Sequence, residues 1–129
     1  MAGLQRDTPI PERIVLHQRS RVLEVAFNNG ETYRLPFELL RVYSPSAEVQ
    51  GHGPGQAVLQ TGKRDVEIRA LEPVGNYGVR PIFSDGHETG IYSWDLLYEL
   101  AREQDARWRD YLERLQAAGA SRDAQTGAG

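Results

Sequence analysis

Between Trp94 and about Ala117 the residues Leu97, Ala101, Gln104, Trp108, Tyr111 and Leu115 recur at spacings of four and three. That interval matches one face of an α-helix, whose period is 3.6 residues. Ser93 stands where a side-chain oxygen can cap the first turn, and Asp95 follows inside it. Glu103 with Arg107, Asp105 with Arg109, and Asp110 with Arg114 lie four apart on the charged face, and Gly119 ends the segment. At ~1.5 Å per residue the helix is about 36 Å long. A body of ~100 residues has a similar diameter. The stripe therefore either packs as core along its whole length, or its far end overhangs as a surface for a partner or a second copy.

Everything before this helix reads as short strands. Ile14 to His17 and Val22 to Phe27 are β-rich, and the second alternates Leu23, Val25, Phe27 against Val22, Glu24, Ala26. Asn28-Asn29-Gly30 is a hairpin turn, and Thr32 to Leu35 returns. Pro36 stops that strand and suits a helix start; Glu38 early and Arg41 late favour a short helix to about Tyr43. Val66 to Leu71 alternates with Val66, Ile68 and Ala70 on one face, and Pro73 ends it. Tyr77 to Phe83 is its partner, Asp85-Gly86 a turn, and Thr89 to Tyr92 a short strand. The expected fold is α+β: a small, mostly antiparallel sheet of five to six short strands, one short helix and a long C-terminal α-helix. A flexible leader is expected over 1–12, one domain over 13–118, and a disordered tail over 119–129. Residues 44–62 form a long loop, and loops of that length are commonly mobile or functional.

The 129 residues suffice for one domain that folds without a metal or disulfide staple. A net charge of −3 offers no basic face for nucleic acid. Without cysteine there are no disulfides, thiolate metal sites or thiol nucleophiles. No apolar run has the length of a membrane span, and the N-terminus lacks the pattern of a signal peptide, so a cytoplasmic location is expected.

Motifs for catalysis fail on inspection. Gly62-Lys63 is followed by Arg64 where a phosphate loop needs Ser or Thr, and Ala57 occupies the place of its first glycine. Ser44, Ser46, Ser84 and Ser93 sit in no nucleophile motif, and His17, His52 and His87 lie in separate segments. Asp85 and His87 hold the ingredients of an iron facial triad in reversed order; the plainer reading of His87 is a turn residue bonded to its own loop. Arg80 sits mid-strand with Tyr77, Tyr92 and Trp94 near in sequence, where it can bind a carboxylate or phosphate, or simply pair with Glu72.

Glu72-Pro73-Val74-Gly75-Asn76-Tyr77, Arg80-Pro81, Phe83-Ser84-Asp85-Gly86-His87 and Thr89-Gly90-Ile91-Tyr92-Ser93-Trp94, supported by Leu35-Pro36-Phe37 and Leu39-Leu40-Arg41, resemble the gamma-butyrobetaine hydroxylase-like N-terminal domain over about Ile14 to Arg102. In the hydroxylases this domain precedes an iron- and 2-oxoglutarate-dependent catalytic domain, and the present chain ends soon after the small one. The resemblance also implies a zinc site of three Cys and one His. The histidine falls on His87, but the cysteine positions fall on Ser44, Ser46 and Val49. Hydroxyls are poor zinc ligands at neutral pH and Val is none, so no such site can close. Similar domains occur fused to Mrp-type ATPases that carry iron–sulfur clusters, which implies an accessory role in iron–sulfur or metal metabolism.

The sequence thus points to a binding module rather than an enzyme, with no cofactor expected. Arg80, Asp85, His87, Tyr92 and Trp94 are the expected surface for a protein partner or small ligand. The alternative is a metal-binding protein or metal-dependent enzyme that holds zinc or iron through His87 and Asp85, with His52 from the long loop. A third reading is association of copies through the C-terminal helix.

Overall fold

The computed structural model describes residues 8–51 and 57–123. Its strands are β1 (Pro11–His17), β2 (Val22–Phe27), β3 (Thr32–Pro36), β4 (Ile68–Val74), β5 (Gly78–Phe83) and β6 (Tyr92–Ser93). The helices are α1 (Phe37–Val42), the single turn α2 (Ala47–Gln50), and α3 (Trp94–Ala118). The architecture is α+β as expected, with the six strands divided between two three-stranded antiparallel sheets, ordered β1-β2-β3 and β4-β5-β6.

The alternation in β2 does what its pattern predicts. Leu23, Val25 and Phe27 are buried, and Val22, Glu24 and Ala26 face outward. Gly30 takes φ 88°, the left-handed value that the turn between β2 and β3 requires. Pro36 closes β3, and all six residues of α1 are buried. Ser93 caps α3 by accepting from the Leu96 N–H, and Gly119 ends it at φ 65°.

Four expectations are corrected in detail. β1 begins at Pro11, inside the expected leader. β4 runs through Pro73 to Val74, because β4 lies at the edge of its sheet, where a missing N–H costs no ladder bond. An irregularity in register between Ile68 and Ala70 breaks the alternation, so Val66 and Ile68 are buried while Ala70 is exposed. Thr89 to Tyr92 yields only the two-residue β6, which starts at Tyr92.

One core joins both sheets to α1 and the first half of α3. Leu23, Phe27, Leu35, Phe37, Ile68, Phe83, Tyr92, Leu97 and Leu100 are all at most 2 % exposed. The far end of α3 does not overhang. Tyr111 and Leu115 are buried with Val42 in a second cluster, flanked by Tyr43, Leu59, Trp108 and Ala120. The start of the expected tail helps to close it: Ser121 O accepts from the Gly62 N–H and Arg122 O from the Arg64 N–H, both at 3.0 Å. Arg122 also grips the buried Glu38 carboxylate with two hydrogen bonds and lies 4.9 Å from the centre of the Trp108 ring. Residues 124–129 of that tail lie outside the described residues.

Candidate functional site

The residues of the expected site fall in three places. Arg80 lies on the outward face of β5 beside Glu72, to which its guanidinium is paired. Trp94, at the start of α3, donates its ring N–H to Asn76 O at 2.9 Å. Neither of these contacts involves the turn at Asp85 to His87. Tyr92 is fully buried and its hydroxyl donates to Leu40 O. His87 is 7 % exposed. The cluster expected as one surface is therefore a buried polar centre around His87 and two separate surface contacts. His52 lies outside the described residues.

The buried centre joins α1 and α2 to the turn after β5. Ser44 Oγ is 2.8 Å from His87 Nε2, and His87 Nδ1 is 3.1 Å from Glu48 Oε1. With the ring neutral, Nδ1–H donates to Glu48 and Nε2 accepts the Ser44 hydroxyl proton. Ser44 Oγ in turn accepts from the Ser46 N–H at 3.2 Å. The Ser46 hydroxyl caps α2, accepting from the Glu48 N–H at 3.1 Å, and is 2.6 Å from the Thr89 hydroxyl. Thr89 donates to Glu48 Oε1 at 2.5 Å. Asp85 accepts from Arg41 Nε at 2.9 Å, from Lys63 Nζ at 2.6 Å and from the His87 N–H at 3.2 Å. Arg41 is itself buried, and its Nη1 has no partner among the described residues.

Charge states follow from these contacts. Burial lowers the pKa of His87, the nearby Arg41 charge lowers it further, and Glu48 and Asp85 only partly oppose them. The imidazole is therefore neutral at pH 7. Burial alone would raise the Asp85 carboxyl, but hydrogen bonds from Lys63 and the His87 N–H, with the charge of Arg41, bring it to about 2. The Thr89 hydroxyl leads the lowering of Glu48.

Ser44, His87 and Glu48 thus have the connectivity of a nucleophile, a base and an orienting acid. Their burial is the wrong way round for catalysis. Ser44 is 0 % exposed, whereas the Glu48 side chain is 62 % exposed. Gly90 packs directly on Ser44 Oγ, since a Cβ built there would lie 2.5 Å from it, and Ser44 presents no exposed surface to a substrate. The arrangement works as a clamp on the 44–51 segment. Sequence reasoning missed Glu48, Arg41 and Lys63 as members of it; the available signal was Ser46-Ala47-Glu48, a capping serine before a helical turn.

A short-stranded α+β domain whose polar residues are tied to one another, closed by a long capped helix, defines the class of this protein. The chain belongs to the gamma-butyrobetaine hydroxylase-like, N-terminal family, whose model matches residues 14–98. It is similar to a protein with an NMR solution structure at 52 % identity and a TM-score of 0.80, covering 98 % of this chain and 94 % of that one. A second NMR solution structure is similar at 48 % identity and a TM-score of 0.81, covering 93 % and 94 %. A crystal structure of a protein of unknown function of the DUF971 family, from Acidithiobacillus ferrooxidans, is similar at 40 % identity and a TM-score of 0.60, covering 73 % and 92 %. No curated protein matches the sequence significantly.

The positions that the family resemblance matches to zinc ligands do converge. Ser44, Ser46 and His87 belong to one hydrogen-bonded group, and Val49, 3 % exposed, lies in the turn capped by Ser46. This donor set does not fit zinc. It offers two hydroxyls, an alkyl group, and an imidazole whose two nitrogens face Ser44 and Glu48. Among the described residues no group of three or more His, Asp or Glu side chains is placed to hold a metal ion.

A cleft of about 340 Å³ opens between the clamped segment and α3. Pro45, Val49 and Val58 form one wall, and Leu96, Arg107 and Arg114 line the other. Both guanidinium groups lie over the Tyr43 ring, 5.3 and 5.7 Å from its centre. The Tyr43 hydroxyl donates to Arg107 O at 2.7 Å and accepts from Arg114 at 3.1 Å. Val58 is 56 % exposed at the rim.

Proposed function

We propose that this domain is a non-catalytic recognition module that holds a segment of a protein partner in the cleft that Pro45, Val49 and Val58 form with α3. One observation carries the reading: the His87–Ser44–Glu48 clamp fixes one wall of an open cleft whose rim leaves Val58 56 % exposed. A rigid, partly apolar cleft lowers the ordering cost of binding. The lining arginines are already paired, Arg107 with Glu99 and Glu103, and Arg114 with Asp110. They offer planar stacking surfaces rather than free charge, which suits a peptide segment better than a small anion. The family's association with cluster-carrying ATPases makes an Mrp-type iron–sulfur carrier the first partner to test, as an accessory role in that metabolism.

The test is a titration of the purified chain with such a carrier, read by calorimetry. Saturable binding that is lost in Val58→Glu and Tyr43→Ala, with both variants folded, is the expected result. Binding that is absent, or that survives both substitutions, would discard the cleft.

A further inference from the structure

We infer that a second copy of this chain docks on the face of α3 that carries Asp105 and Arg109, the two helices crossing antiparallel about a two-fold axis level with position 107. Three observations meet there.

A groove of about 360 Å³ runs between α1 and α3, lined by Pro36, Leu39, Trp108 and Leu112 among others. Leu112 is 39 % exposed within an otherwise charged stretch of helix.

Asp105 and Arg109 flank this groove and are spaced to pair along the helix, yet no ion pair or hydrogen bond joins them to any described residue. Their neighbours at the same spacing do pair: Glu103 with Arg107 at 3.1 Å and Asp110 with Arg114 at 3.1 Å.

By their spacing of four, Asp105 and Arg109, unpaired among the described residues, lie symmetrically about position 107. An antiparallel crossing at that residue sets Asp105 of each copy against Arg109 of the other, so one contact is made twice. Leu112 then meets the Arg102 stem, whose methylenes can cover it. A protein unrelated to this chain would have to supply the matching acid and base independently; a second copy supplies them by symmetry. The stretch from Tyr98 to Gln116 is about 27 Å long, and one helix pair with the Pro36 shoulder buries on the order of 1,000 Å², the low end of specific interfaces. The dimer is therefore reversible and dependent on concentration.

This inference is independent of the cleft reading. At about 100° per residue, Arg107 and Arg114 leave α3 on the side roughly opposite Asp105 and Arg109.

Sedimentation equilibrium of the full chain, from about 10 µM to about 1 mM, tests the inference. A reversible monomer–dimer equilibrium is expected. Asp105→Arg alone and Arg109→Asp alone each bring like charges together twice and weaken the dimer about tenfold or more. The double variant Asp105→Arg/Arg109→Asp restores it, and Leu112→Asp abolishes it without changing the circular dichroism spectrum. A single-chain mass at every concentration overturns the inference. So does a dimer indifferent to both charge reversals.

Discussion

Ser44 Oγ and His87 Nε2 lie 2.8 Å apart although 43 positions separate them in the chain, and both residues are buried. This bond fastens the segment after α1 to the turn after β5, where the sequence holds no cysteine to make a thiolate–metal link.

Removing the hydroxyl should be costly for that reason. Ser44→Ala leaves His87 Nε2 without its donor and the Ser46 N–H without its acceptor, in a site closed to water. Leaving buried polar groups unpaired costs about 1–3 kcal/mol. Urea denaturation should show that loss of stability, with the slope unchanged.

Acid should weaken the domain in two stages. The unfolded chain takes up the imidazole proton near pH 6.5, whereas the folded chain resists until lower pH. Between those values the unfolded state holds more protons, so stability rises with pH there; it is complete above about 6.5 and declines below. Asp85 acts lower, with an ordinary value of 3.8 and a folded value of about 2. Its contribution is present above 3.8 and lost as pH falls through 2. That contribution is about 1–2 kcal/mol after allowance for solvent screening of a partly exposed carboxylate. Stability measured against pH should lose its upper stage in His87→Gln and its lower stage in Asp85→Asn.

Two glycines are sterically obligatory. A Cβ at Gly90 would lie 2.5 Å from Ser44 Oγ and 3.3 Å from Pro45 Cδ; one at Gly78 would lie 2.6 Å from the main-chain oxygen of Tyr92. Overpacking of this kind costs about 1–3 kcal/mol. Gly78→Ala should be the worse of the two, because its obstacle is backbone that cannot rotate away. Parallel thermal melts of the two variants would reverse this ranking if the Ser44 clamp were the stiffer element.

Arg122–Glu38 and Arg80–Glu72, two of the arginine–carboxylate pairs, should separate by burial. Glu38 is 6 % exposed beneath Arg122, which also covers Trp108. Arg122→Ala strands that carboxylate and should cost about 1–3 kcal/mol. Arg80 and Glu72 meet at the surface, where such pairs contribute below about 1 kcal/mol, so Arg80→Ala should be nearly silent. Comparable losses in the two variants would contradict the burial argument.

Local periodicity made much of the fold legible. The β2 alternation, the Asn28-Asn29-Gly30 turn and the Ser93 cap each depend on residues close in sequence. The division into two sheets did not show, because strand partnership depends on contacts across the core. Pro73 misled for a related reason: it ends a central strand but is tolerated at an edge, and sequence does not say which β4 is. The expected site was half legible. Asp85 and His87 do meet in one polar centre, but His87 and Tyr92 are buried and offer no surface. Arg41 and Lys63 reach Asp85 across 44 and 22 positions, a distance no local motif encodes.

The two tryptophans end up at well-separated stations on α3. Trp94 is bonded to Asn76 O beside the β4–β5 turn, and Trp108 lies under Arg122 where the chain returns from the helix. Fourteen residues of helix place them about 21 Å apart. The molecule thus carries an optical gauge at each station: detaching the 121–123 strap would shift the emission of one indole and leave the other as it was.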